Sequence, residues 1–464
     1  MNKYAGSRPI SKVEITNDTN DTLTGRGGLT PFVRYLSQIN IYPILIGSFG
    51  HIRKSKKGIA IWNIFKQIFC FFFDGTSRHL TYFDEIKKDD GYAAAIENNS
   101  EEMVSSHAIK RFFGVFGWWH GSIYRKILNR LFIWRLKLEQ PPEVAITIDT
   151  MVMDNDEATK RHGVGVTYKK KKGFQPLQMI WRGRIVDAVF RGGKKHGNSG
   201  DTAINMITRM VELIRREYRR DITIIIQMDS GFFDQDIFSR IDNLNVIFVA
   251  TGKIYDWVKE RVLEPPKDDW KEYDNGHQVW KWVEIKYQCN SWEEEYRGFY
   301  THPVSEGDQR LFDFARPDTV IITNLGCNDN ILEHCTKQRR QYWLKPENII
   351  HSHHMRGADE LPHRGLKDFG FEQMPFKRFG PNTAFYYCMV IGFFLFETYK
   401  QDILAGLIPL TAYATTVRRR AVDFAAKVIR RGGQNILKVT QTVMDGLKVN
   451  TLWLRCQSPP PTCL

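Results

Sequence analysis

Apolar positions along the first third of the chain recur at helical spacing and are heavily aromatic, which predicts packed helices over residues 29–138, with 59–73 the most apolar of them. The period changes after Pro141-Pro142. Val144, Ala145, Ile146, Thr147 and Ile148 form a short β-branched run, the composition of a buried strand, and the run closes on Asp149. Further strands are expected at residues 164–168, 177–181 and 185–190. Ile204, Ile207, Met210, Val211 and Ile214 then return to helical spacing, before a strand at 222–228 that closes on Asp229, a short helix at 235–241 and a strand at 246–250.

Residues 252–317 are rich in Trp, Tyr and Glu, and residues 278–286 alternate with a period near two, which suits β structure and not a helix. A returning strand is expected at 319–323. Antiparallel-type strands followed by helix, strand, helix and strand are the element order of an RNase H-like core. The fold expected is therefore α/β: an RNase H-like catalytic core interrupted by a β-rich insertion, with an all-α N-terminal region and a helical C-terminal region. Residues 1–28 are polar and read as a flexible arm. The divisions are 1–28, a helical region at 29–140, the first part of the core at 141–251, the insertion at 252–318, the second part of the core at 319–400, and a helical region with a tail at 401–464.

The length of 464 residues allows about three domains. A net charge of +14 and a pI near 9.3 favour a polyanionic partner, nucleic acid first. The cations are grouped at Lys54, Lys56 and Lys57, at 169–172, at Arg215, Arg216, Arg219 and Arg220, at 418–420, and at Arg430 and Arg431. Ser105 and Ser106 read as a capped start to a helix carrying Lys110 and Arg111, as in a helix-turn-helix recognition element or an ordinary packed helix. Seven cysteines without paired spacing, and no secretory signal, point to a reducing cytoplasm. The apolar runs at 59–73 and 384–396 are shorter than the roughly 20 residues a bilayer span needs, so both read as buried helices and no membrane partner is expected. Cys327, Cys335, His334, His351, His353, His354 and His363 lack the paired spacing of a structural zinc site.

The candidate chemistry joins Asp149 and Asp229 to the stretch from His353 to Lys367. On a helix Arg356, Glu360 and Lys367 share one face, because four and eleven residues are close to one and three turns. Asp149, Asp229 and Glu360 supply the hard oxygen donors that Mg²⁺ prefers, and two such ions can serve both oxygens of a phosphodiester displacement. Arg356 and Lys367 suit phosphate, the first as a fork and the second as a point charge. Pro362 and Gly365 predict that the helix begins near Asp359 or bends there. Trp280, Trp282 and Trp292 read first as core residues of the insertion, with stacking on an unpaired base as the alternative.

These residues resemble the DDE transposases of bacterial insertion sequences, in the subgroup with the signature Tyr-x2-Arg-x3-Glu-x6-Lys. Arg356, Glu360 and Lys367 match it in type and spacing, and His353 stands at the tyrosine position. Ile148-Asp149-Thr150 resembles the first motif and Met228-Asp229-Ser230-Gly231-Phe232 the second. The resemblance covers roughly residues 142–400. It implies metal-dependent cleavage and strand transfer with two Mg²⁺ ions, or Mn²⁺ in their place. Arg356, Lys367 and His353 would then hold DNA, and residues 29–140, with Lys110 and Arg111, would bind the ends. The implied partners are double-stranded DNA, both terminal inverted repeats and target DNA, and a second copy of the chain on paired ends, in the bacterial cytoplasm and on the nucleoid when bound. A domesticated DNA-binding protein that no longer cuts, or an RNase H-like nuclease without strand transfer, are the alternatives.

Overall fold

The structure is a computed structural model and describes residues 15–52, 57–195, 199–264, 266, 269–274, 276, 278–304, 318–333, 335–356 and 360–458, without the side chains of Asp329 and Glu360. A short strand β1 (Thr22–Thr24) precedes a helical region that includes Leu29–Gln38, Ile41–Phe49, Ile61–Asp74, Ser106–Gly114 and Gly121–Glu139. The next strands are β2 (Glu143–Thr150), β3 (Met153–Asp154), β4 (Gly165–Val166), β5 (Lys172–Phe174), β6 (Leu177–Trp181), β7 (Arg184–Val189), β8 (Thr223–Met228) and β9 (Ile247–Thr251). They are followed by β10 (Lys271–Asp274), β11 (Val279–Tyr287), β12 (Tyr296–Pro303) and β13 (Thr319–Thr323), and near the C-terminus by β14 (Ala426–Arg431) and β15 (Gln434–Val439).

Among the described residues nine strands form one central sheet in the order β10-β11-β12-β13-β9-β8-β2-β6-β7. Its centre is parallel, with β2 beside β8 and β8 beside β9, while β6 and β7 add antiparallel on one side. This is a mixed α/β architecture with an RNase H-like core, flanked by N- and C-terminal helical regions. The insertion is continuous with that core, because β13 pairs with β9 and then carries β12, β11 and β10 outward in the same sheet.

The helix Phe379–Asp402 lies under the sheet and is buried from Pro381 through Phe396. Its apolar character all round is what a central core helix requires. By length and composition it could cross a membrane, yet 89% of its apolar window is buried inside the protein. Phe72 and Phe113 both pack on Phe385, and Tyr124 stacks on Tyr387 with ring centroids 5.4 Å apart. Each buried ring contributes about 1.5–3 kcal/mol, so these contacts bind the N-terminal helices firmly to the core.

Three expectations change. Residues 164–168 do not enter the central sheet; only β4 forms there, in a separate sheet of order β3-β5-β4. Val166 and Tyr168 are 56% and 53% exposed, so the segment has no apolar face to bury in a central position. The arm at 1–28 is ordered in its last part. There β1 pairs with β14, Gly27 N donates to Phe424 O at 3.1 Å, and Arg26 bridges Asp74 and Asp423, each at 2.8 Å. A side chain at Gly28 would place its first carbon 1.7 Å from Ala421 O, which explains the glycine. The C-terminal region, expected as helical, also contains the β14–β15 hairpin. The Gly432-Gly433 pair between two β-branched and aliphatic runs is the local signal of a two-residue hairpin turn.

Candidate active site

Parallel pairing of β2 and β8 sets Ile148 opposite Met228, so Asp149 and Asp229 follow at neighbouring strand ends. Both are partly buried. Asp149 Oδ1 accepts from Thr150 N at 2.6 Å, and Asp229 Oδ1 accepts from Gly231 N at 2.9 Å, capping the turn Ser230–Phe232. Burial pushes the Asp229 carboxyl above its ordinary pKa, the Asp149 charge adds to the rise, and Arg356 and the Gly231 N–H oppose it. Two carboxylates and one guanidinium thus act on one another at the sheet end.

The helix Pro346–Met355 brings Arg356 there as its C-terminal cap. Proline fits its first position, where no backbone donor is needed, and the Arg356 guanidinium at its C-terminal cap suits the helix dipole. A polar relay fixes it on the sheet: Thr147 Oγ1 donates to Gln227 Oε1 at 3.1 Å, and Gln227 Nε2 donates to Ser352 O at 3.0 Å and Ser352 Oγ at 2.9 Å. The insertion supports its other side. Tyr273 Oη lies 2.5 Å from His351 Nδ1, and the Trp280 ring centroid lies 4.4 Å from that of His354.

His353 Nε2 lies 2.9 Å from Thr251 Oγ1 on β9, and burial, Arg356 and His354 hold its pKa well below the ordinary value. A neutral imidazole tied to the sheet therefore occupies the tyrosine position of the signature. Trp280, Trp282 and Trp292 are 2%, 2% and 9% exposed, so they are core residues and present no open face for a base.

The second motif helix runs Glu360–Phe369, so the backbone is helical from Glu360 onward and the proline falls in its first turn, where it is tolerated. The Glu360 side chain, Gly357 to Asp359 and His334 lie outside the described residues. Lys367 Nζ pairs with Glu372 Oε2 at 2.8 Å. His363, one turn after Glu360, brings Nδ1 to 3.7 Å from Asp149 Oδ2, a relation that the signature does not contain. Its helical spacing of three from Glu360 is the signal that could have drawn attention to it. Among the described residues no three His, Cys, Asp or Glu side chains gather as a metal-binding group, for zinc or for magnesium. Lys110 and Arg111 are exposed on Ser106–Gly114, away from the buried Ile109, Phe112 and Phe113.

An RNase H-like sheet with aspartates closing neighbouring parallel strands defines the class of protein. The family described as Transposase DDE domain group 1 matches residues 12–455, and the chain belongs to that family. A solved structure described as a cryo-EM structure of piggyBac transposase synaptic complex with hairpin DNA is 11% identical, with a TM-score of 0.40 over 95% of this chain and 85% of that one. No curated protein matched.

Proposed function

We propose that this chain is the transposase of an insertion sequence, binding its terminal inverted repeats as a homodimer on paired ends and catalysing metal-dependent strand cleavage and transfer into target DNA. The observation that carries the reading is the pair Asp149 and Asp229 at neighbouring strand ends with Arg356 acting on Asp229, in a member of a DDE transposase family. The donor set fits a divalent cation: two partly buried carboxylates repel each other, and a cation between them relieves the repulsion. Asp149 and Asp229 would hold it, with Glu360 as the third carboxylate. Bound Mg²⁺ or Mn²⁺ supplies Lewis-acid stabilisation of the attacking and leaving oxygens. Arg356 and Lys367 bind phosphate oxygens, Lys367 after exchanging its partner Glu372.

The test is incubation of the protein with end-containing DNA and Mg²⁺ or Mn²⁺. Strand cleavage at the ends and joined product are expected, and Asp149→Ala, Asp229→Ala and Glu360→Ala should each abolish cleavage while end binding persists. End binding with no cleavage by the unaltered protein would instead point to a DNA-binding protein that keeps the fold without cutting.

A further inference from the structure

The hairpin of β14 and β15 turns through Gly432 and Gly433, with φ of 57° and 77°, a two-residue turn of the kind that matches strand twist. Its base is braced by β1, whose pairing stops at Val428, so beyond that residue the hairpin continues as two strands. Alternation gives it two faces. Val428, Arg430, Asn435 and Leu437 line a large groove shared with Trp453 of the helix Val449–Gln457. The opposite face presents Lys427, Arg431 and Lys438 with Gln434 around Ile429 and Ile436, and Arg430, Arg431, Gln434 and Lys438 are exposed.

Charge on this hairpin is poorly compensated. Lys427 and Lys438 stand directly opposite each other across the ladder, an arrangement that destabilises a strand pair unless an anion offsets it. Asp21 pairs with Lys427 at 2.8 Å, whereas Arg430, Arg431 and Lys438 make no ion pair among the described residues. Several other basic groups are engaged within the chain: Lys171 with Asp154 and Asp156, Arg216 with Glu217, and Arg219 with Asp221. Arg418 is spent on backbone, donating to Phe72 O, Phe73 O, Asp368 O and Phe369 O.

We propose that the β14–β15 hairpin is a DNA-binding ribbon that lies along duplex DNA, with Arg431 and Lys438 on phosphates and Gln434 toward the groove. Six residues per strand span roughly 20 Å, and a two-stranded ribbon is among the few elements that a major groove about 12 Å wide admits. Glycines at both turn positions keep the tip narrow enough for close approach to a backbone. The inference rests on the proposed function in one respect, that the chain binds duplex DNA.

Full-length protein and the double variant Arg431→Ala, Lys438→Ala are compared by fluorescence anisotropy on a random-sequence duplex over a salt series. Each lost phosphate contact should lower the log–log salt slope by about 0.9, so a reduction of about 2 and at least a tenfold loss of affinity at low salt are expected. The variant Arg431→Lys, which keeps the charge, should retain the slope. Superposable circular dichroism melts show that the fold survives alanine replacement, and should the double variant melt early, Lys438→Ala alone should still lower the slope by about 0.9. Duplex binding by the unaltered protein with an unchanged slope in the variants overturns the hairpin proposal and leaves the proposed function standing. No duplex binding by the unaltered protein overturns both.

Discussion

His363 Nδ1 lies 3.7 Å from Asp149 Oδ2, while Arg356 acts on Asp229, so each strand-end aspartate faces a nitrogen group from one of the two motif helices. The Arg356 group comes from the C-terminal cap of Pro346–Met355 and the His363 group from Glu360–Phe369. This makes His363 a positioning residue for Asp149. Replacing it with alanine is expected to weaken Mn²⁺ binding by about 10- to 100-fold, with partial recovery in His363→Gln. Electron paramagnetic resonance of free Mn²⁺ measures this directly, and equal binding by the alanine variant would remove His363 from the site.

Asp229 carries a raised pKa, so the folded protein holds its proton to higher pH than the unfolded chain does. Stability from this group is therefore full below the unfolded carboxylate pKa and is lost as pH rises through the folded value, leaving a cost at neutral pH. Asp229→Asn should raise Tm by about 1–2 °C at neutral pH and show little gain at pH 3, since a functional carboxylate is commonly held at the expense of stability. Melting both proteins across pH 3–8 checks it; a lower Tm for the variant at neutral pH would contradict the cost assigned to this charge.

Trp280 is buried against His354 and so braces the motif helix from the insertion. Trp280→Ala should cost about 3–5 kcal/mol by urea denaturation, and Trp280→Phe much less. Tryptophan fluorescence from this position should be insensitive to added DNA in the Trp280→Phe difference spectrum. Quenching of that component by DNA would mean that the ring reaches the substrate.

Arg418 belongs to one of the basic groups of a chain whose net charge favours a polyanionic partner, yet it closes the C-terminal ends of Ile61–Asp74 and Glu360–Phe369 through their carbonyls. Arg418→Ala should lower stability by about 2–4 kcal/mol in a denaturant titration, because several buried carbonyls lose a charged donor. Its salt dependence of DNA binding should match that of the unaltered protein. A lower salt slope with undiminished stability would return Arg418 to the DNA surface.

Local sequence determined a good deal of this protein. Short β-branched runs closing on Asp149 and Asp229 marked β2 and β8, and the aromatic run at 59–73 marked a buried helix, because local composition and strand-end polarity are properties of neighbouring residues. The motif spacing likewise marked Arg356, and Pro362 and Gly365 predicted a helix start or bend near Asp359, a position that lies outside the described residues just before the helix Glu360–Phe369. What tertiary structure alone decided were the relations between distant segments: β1 docking on β14, the insertion extending the sheet through β13, Trp280 turning inward to His354, Arg418 capping two helices, and His363 reaching Asp149. Charge and aromatic content are legible residue by residue. Whether a cation meets a carbonyl, a carboxylate or open solvent depends on the three-dimensional neighbours that packing supplies, and no period along the chain encodes those neighbours.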